Sequence, residues 1–351
     1  MKRTLKIVII CICSALLGGC FGGTEVNKRA FVQLMGIEKQ SGVYMVSLQL
    51  YENGSSDGNP DISKPNSSSV SGSGSDLNSA LSECELMAGK QLFLGHVKMV
   101  ILGTGITDIG DALKALTEGG KSRGTVSISC PVAYSYSPSD ITETFMEQGL
   151  FSADRLTDIT DGYVRAGKCA YTTLASVIES TSMPFGAAAL PVILSDGESI
   201  SYSGIVAADN SGNICRISES DTSGYVILSG SFDDRGNMVV PLTDGVSSAE
   251  ITSSSVCTNA DITDGKLRIN AKVKLKLNVS GEDKREIAEA VCENIRDSCI
   301  SAYSETMWYN GCDVFGIYKL LRRDCPELAE SKDIGEILKG SILNISVSAD
   351  G

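Results

Sequence analysis

Residues 266–279 read KLRINAKVKLKLNV, the cleanest periodic element of the chain. Leu267, Ile269, Ala271, Val273, Leu275, Leu277 and Val279 alternate with Arg268, Asn270, Lys272, Lys274, Lys276 and Asn278. A period of two places successive side chains on opposite faces of a strand, so one face is core and the other is solvent. A half-buried strand needs a cover for its apolar side, and the next residues supply one. Ser280 with Asp283 reads as a helix start, and Ile287, Val291, Ile295, Cys299 and Ala302 share one face of a helix of about six turns. Residues 314–322 and 334–338 read as shorter helices, and Leu343, Ile345 and Val347 alternate as a closing strand. Residues 261–351 are therefore expected to form a C-terminal α+β unit, with helices packed on one face of a sheet.

Upstream, residues 186–260 read as a β-rich middle domain. Strands are expected at 200–207, 225–228 and 238–242, with turns at Asn210-Ser211-Gly212 and Asp234-Arg235-Gly236. Residues 20–185 read as an N-terminal α+β domain. It opens with a hairpin of 31–37 and 43–50, closed near Gln40-Ser41-Gly42, with Tyr44, Val46, Leu48 and Leu50 on one face. From 53 to 76 the chain becomes Ser, Gly, Asn and Pro, and a flexible loop is expected there. Asp76 reads as the cap of a helix carrying Leu77, Ala80, Leu81, Cys84, Met87 and Ala88 on its apolar face. A strand at 97–102, a helix at 108–117 burying Ile109, Ala112, Leu113 and Leu116, and a strand at 125–134 follow. Residues 139–182 read as mostly helical. The expected architecture is multi-domain α+β with mixed sheets.

The first twenty residues, MKRTLKIVIICICSALLGGC, concern location rather than fold. Lys2, Arg3 and Lys6 form a basic start, residues 7–17 an apolar stretch too short to span a bilayer, and Gly18-Gly19 precede Cys20. This order is that of a bacterial lipoprotein signal, with residues 1–19 removed and Cys20 acylated. The small residues have a chemical reason: a transferase must reach the Cys20 thiolate, and a peptidase must then cut before it. Two or three acyl chains would anchor the protein stably.

The chain has 30 basic and 43 acidic residues and a net charge of -13. Loss of residues 1–19 removes three positive charges and no negative ones, leaving about -16. Such a charge argues against a nucleic-acid partner and against electrostatic attachment to an anionic membrane. Against that charge, Lys272, Lys274 and Lys276 form an outward basic stripe. Such a stripe is ordinarily a solvated face, but it would also suit an acidic loop of a partner.

Other motifs are incomplete. Gly119-Gly120-Lys121-Ser122 has Ala115 where a phosphate loop needs glycine, and Gly103-Thr104-Gly105 lacks the third glycine of a dinucleotide fingerprint. The latter reads as a tight strand-to-helix turn. His96 is the chain's one histidine, and without a G-x-S-x-G elbow it reads as structural. Asp-Ile-Thr-Asp-Gly, at 158–162 and 261–265, lacks the further carboxylates of a calcium loop. The nine cysteines beyond Cys20 include no C-x-x-C and read mainly as small buried hydrophobes, although export permits a disulfide or two. No cofactor or metal is implied.

Taken in order, several segments resemble the Ger(x)C family of spore germination lipoproteins, the C subunits of nutrient germinant receptors. They are Cys20; Glu25-Val26-Asn27 and the strand pair ending at Leu50; Gln91-Leu92-Phe93-Leu94-Gly95-His96-Val97-Lys98; the run from Gly204-Ile205-Val206 to Gly230; Asp313-Val314-Phe315-Gly316; and Arg322-Arg323-Asp324-Cys325-Pro326. The chain departs from the family at Phe21-Gly22, where Trp-Asp is frequent, at Tyr318 and at residues 119–122. The resemblance implies a fold of three α+β domains and a non-enzymatic subunit. It also implies lipid attachment to the outer face of the inner spore membrane and assembly with two integral membrane subunits. Other classes weighed are a lipid-anchored solute-binding protein, which needs two parallel-sheet lobes around a cleft, and a cell-wall hydrolase, which needs paired carboxylates or a metal set.

Overall fold

The structure is a computed structural model that describes residues 28–52, 66–118, 123–147, 153–197, 199–232, 236–241, 248–279 and 283–350. Strands β1 (Arg29–Gln40) and β2 (Val43–Glu52) form the expected hairpin, turning through Ser41 and Gly42, both at positive φ. Strand β3 (Asn66–Gly74) pairs with β2. Helix α1 (Leu77–Ala88) then starts at Asp76, whose Oδ1 accepts the Ser79 N–H at 2.9 Å, and ends at Gly89. Next come β4 (Gln91–Phe93), β5 (Met99–Leu102), α2 (Ile109–Glu118), β6 (Val132–Tyr134), α3 (Pro138–Glu147), α4 (Ala153–Arg165) and α5 (Leu174–Thr181). Strands β7 (Ala187–Ser195), β8 (Ile200–Asp209) and β9 (Ile214–Ile217) complete the first sheet, ordered β3-β2-β1-β5-β6-β7-β8-β9, with β4 against β1.

The middle strands of this sheet are parallel and its flanks antiparallel. Its centre is covered on both faces, which is why β5 reads as an uninterrupted apolar run. Val100 and Leu102 join Leu81 of α1, Leu113 of α2 and Val177 of α5 in one core. Met99 and Ile101 face Ile141 of α3 and Leu156 of α4 in another.

The second sheet takes α6 (Thr222–Leu228), β10 (Met238–Pro241), β11 (Ser248–Thr263) and β12 (Lys266–Val279). Helix α7 (Lys284–Tyr303) follows, then a π turn (Ser304–Trp308), α8 (Ile317–Asp324), α9 (Pro326–Ala329), α10 (Ile334–Lys339) and β13 (Ile342–Asp350). The strand order is β10-β11-β12-β13, with β12 and β13 parallel, so the helices between them form the crossover. Burial alternates along β12 as its sequence dictates, and Ile269, Val273 and Leu275 pack with Val291, Ile295 and Cys299 of α7. Helices on one face of this sheet match the expectation for the C-terminal unit.

Four expectations change. The expected flexible loop at 53–76 contains an ordered strand: residues 66–74 are β3, while 53–65 lie outside the described residues. Its small residues serve packing, because a Cβ at Gly72 would meet Ala80 O at 2.5 Å and one at Gly74 would meet Ala80 N at 2.5 Å. Helix α1 crosses this strand too closely for side chains. Residues 225–228, read as a strand, belong to α6. Gly224 presses against the backbone of Ser298 and Cys299, and its N–H donates to Ser298 Oγ at 2.9 Å, contacts that the Tyr-Val-Ile-Leu run does not announce. The strand expected at 125–134 shrinks to β6, since residues 126–132 bond instead to Leu116 and to 172–175. Residues 186–260 are divided, with β7–β9 in the first sheet and β10 and most of β11 in the second.

Candidate interaction face and inter-sheet junction

The face of β12 opposite the core is polar throughout. Lys272, Lys274 and Lys276 are exposed and, at the two-residue rise of a strand, succeed one another at roughly 7 Å. Their cross-strand neighbours are short side chains, five uncharged and one the carboxylate of Asp350. Lys272 lies between Cys257 and Ser346, Lys274 between Ser255 and Ser348, and Lys276 between Ser253 and Asp350. An amide ladder continues the row, with Asn344 Nδ2 donating to Asn270 Oδ1 at 3.0 Å and Asn270 Nδ2 to Asp261 Oδ2 at 2.8 Å. Within the described residues none of the three lysines is in an ion pair. A shallow groove of about 790 Å³ runs over this face, lined in part by Ser253, Ser255, Lys274, Lys276 and Asp350. Short neighbours leave the three lysine side chains exposed.

The second feature is Asp313-Val314-Phe315-Gly316. Asp313 is buried, and its Oδ1 and Oδ2 accept the Ile317 and Tyr318 N–H groups at 2.8 and 2.7 Å, so it caps α8 from four residues before the first helical position. Phe315 and Gly316 add further backbone donors. Burial still dominates and raises the carboxyl above its ordinary value. The backbone of Asp313 also ties the two sheets together: its N–H donates to Phe185 O at 2.9 Å, and its carbonyl accepts Ala187 N–H at 3.1 Å. Phe315 packs between Tyr225 and Tyr303, and Trp308 Nε1 donates to Ser341 O at 2.6 Å beneath them. A cavity of about 470 Å³ beside α8, bordered by Tyr303, Phe315 and Arg323, lies within the second sheet and its helices.

Cys20 and residues 119–122 lie outside the described residues. His96 ends a 3₁₀ turn at the surface, its ring 5.2 Å from Phe31 and 5.4 Å from Phe93, so it belongs to an aromatic cluster rather than a buried core. Gly103-Thr104-Gly105 is the tight turn expected: a Cβ at Gly105 would stand 2.0 Å from Lys39 O. Lys39 is held there by its N–H to Thr104 O and by Asp108, which also accepts Tyr44 Oη–H at 3.0 Å; burial pushes that phenol up to about 12. The first Asp-Ile-Thr-Asp-Gly copy lies in α4, and the second turns β11 into β12 through Asp264 and Gly265 at positive φ. Among the described residues no cluster of three or more His, Cys, Asp or Glu could hold a metal.

Sequence reasoning missed the junction role of Asp313. Its only advance signal was the short Asp-x-Phe-Gly pattern ahead of a helix.

Two mixed sheets linked through the Asp313 segment, one of them presenting a polar, lysine-bearing face, define an α+β protein. Residues 22–194 match the family described as spore germination protein N-terminal domain, and residues 210–349 match the one described as spore germination B3/GerAC like, C-terminal. The chain belongs to this GerAC-like spore germination family. Among solved structures it is similar to the crystal structure of the GerBC protein, at 12% identity over 90% of this chain and 96% of that one, with a TM-score of 0.55. At that identity the likeness is one of fold. No curated protein matches the chain.

Proposed function

We propose that the chain is the lipid-anchored, non-enzymatic subunit of a spore nutrient germinant receptor. Acyl chains on Cys20 hold it to the outer face of the inner spore membrane, where it assembles with two integral membrane subunits. The observation that carries this reading is the reach of the family match, which begins two residues after Cys20 and runs to residue 349. Membership supplies the link to germination, and Leu17-Gly18-Gly19-Cys20 supplies the anchor. The charge of about -16 supports lipid rather than headgroup attraction as the tether. Among the described residues no helix is long and apolar enough to cross a membrane, and attachment is assigned to Cys20. Lys272, Lys274 and Lys276 are assigned to partner contact.

Cys20→Ala tests the anchor. Fractionation should move the variant from the membrane pellet to the soluble fraction, with its melting temperature unchanged. A variant that stays in the pellet through a salt wash contradicts lipid anchoring.

A further inference from the structure

Five of the described cysteines are buried singly against backbone. Cys84, Cys130, Cys169, Cys299 and Cys325 direct their sulfurs at the carbonyls of Val46, Val97, Ala170, Gly224 and Ala260. Cys215 and Cys312 differ. Together with Ala187 and Ala207 they form a small buried cluster of their own, at 6% and 0% exposure, where the two sheets meet. The backbone fixes this placement. Cys215 of β9 pairs with Ala207 of β8, and the bonds that tie Asp313 to Phe185 and Ala187 set Cys312 beside β7. Two alanines leave the space between strands and loop to the two sulfurs. Each thiol perturbs the other, lowering Cys312 and raising Cys215, with Glu305 and Asp209 as the neighbouring acids and Lys339 as the neighbouring base.

We infer that Cys215 and Cys312 form a disulfide in the exported protein, stapling the first sheet to the second. The oxidant is a disulfide of an exported thiol oxidoreductase. The Cys312 thiolate attacks one donor sulfur to give a mixed disulfide, and the Cys215 thiolate then displaces the donor from Cys312. One S–S bond forms in the chain and one breaks in the donor, which leaves as a dithiol carrying the two protons and two electrons. Because both sulfurs are buried, exchange takes place while the chain folds. The staple would close a loop of roughly a hundred residues, a length at which restriction of the unfolded chain is large.

The inference rests on the export read from the signal, so the test has two arms. Full-length protein from spore membranes is denatured in an alkylating reagent without reductant, digested and analysed by mass spectrometry. Purified protein refolded with oxidised and reduced glutathione is treated likewise. A peptide pair joining Cys215 to Cys312 is expected in both, and reductant should lower the melting temperature of the wild type by about 5–10 °C while leaving Cys215→Ala/Cys312→Ala unmoved. Alkylated Cys215 and Cys312 from spores, or pairing of either with another cysteine, overturns the inference. Linkage in the refolded arm alone places the fault in the compartment, and hence in the export reading; absence in both places it in the geometry.

Discussion

At Asp313 one carboxylate starts a helix and its own peptide joins two sheets. Asp313→Ala leaves the Ile317 and Tyr318 N–H groups without acceptors in a buried site and should cost about 3 kcal/mol; Asp313→Asn, which keeps one acceptor, should cost less. Chemical denaturation of the three proteins checks the order. The carboxyl also has a definite pH signature. Burial raises its folded-state value above the ordinary 3.8, so the folded chain binds the proton more readily than the unfolded one. Its contribution to stability is therefore full below about 3.8 and declines as pH rises through the raised value. Asp76, Glu83 and Asp324, lowered by their hydrogen bonds, act in the opposite sense and lose stability as pH falls. The difference between the wild-type and Asp313→Asn stability profiles isolates the first effect, and a flat difference contradicts it.

At the scale of elements, β3 shows that a Ser/Gly stretch can be structural. Gly72→Ala places a methyl group against Ala80 O and Cys84 and should destabilise by about 1–3 kcal/mol, whereas Gly42→Ala, with open space around it but a positive φ, tests conformation alone. Thermal melts of the two variants separate packing from backbone preference. Strand β12 was legible because alternation reports a one-sided core directly, and α7 because its apolar period is uninterrupted. The strand β3 was not, since composition records what a segment can bury and not what lies across it. The helix α6 was not either, because Gly224 decides it through contact with a helix some seventy-five residues away. For the lysine row, exposure followed from the pattern, but its Ser-and-Asn surroundings come from β11 and β13 and needed the register. Changing Lys272, Lys274 and Lys276 to Glu should leave the melting temperature within a few degrees and weaken co-purification with membrane subunits, with slower germination. Unchanged assembly and germination in that variant would leave the row as plain solvent-facing strand.

Over the whole molecule, Ala189, Ile205 and Ile217 of the first sheet share a core with the second, and Phe185, Ala187, Cys215 and the 312–316 segment add a backbone link beside it. Composition groups residues 186–260 as one β-rich unit; long-range pairing instead divides that stretch between the sheets, a choice no local pattern encodes. Family membership ties the chain to spore germination, and the proposed function adds a Cys20 anchor and action by contact. The most direct test is the set of proteins recovered with the tagged full-length chain from detergent-solubilised spore membranes, quantified by mass spectrometry. Two polytopic membrane subunits in near-equal amounts with the chain are predicted; recovery of the chain alone, or with the membrane components of a solute transporter, would contradict the receptor reading.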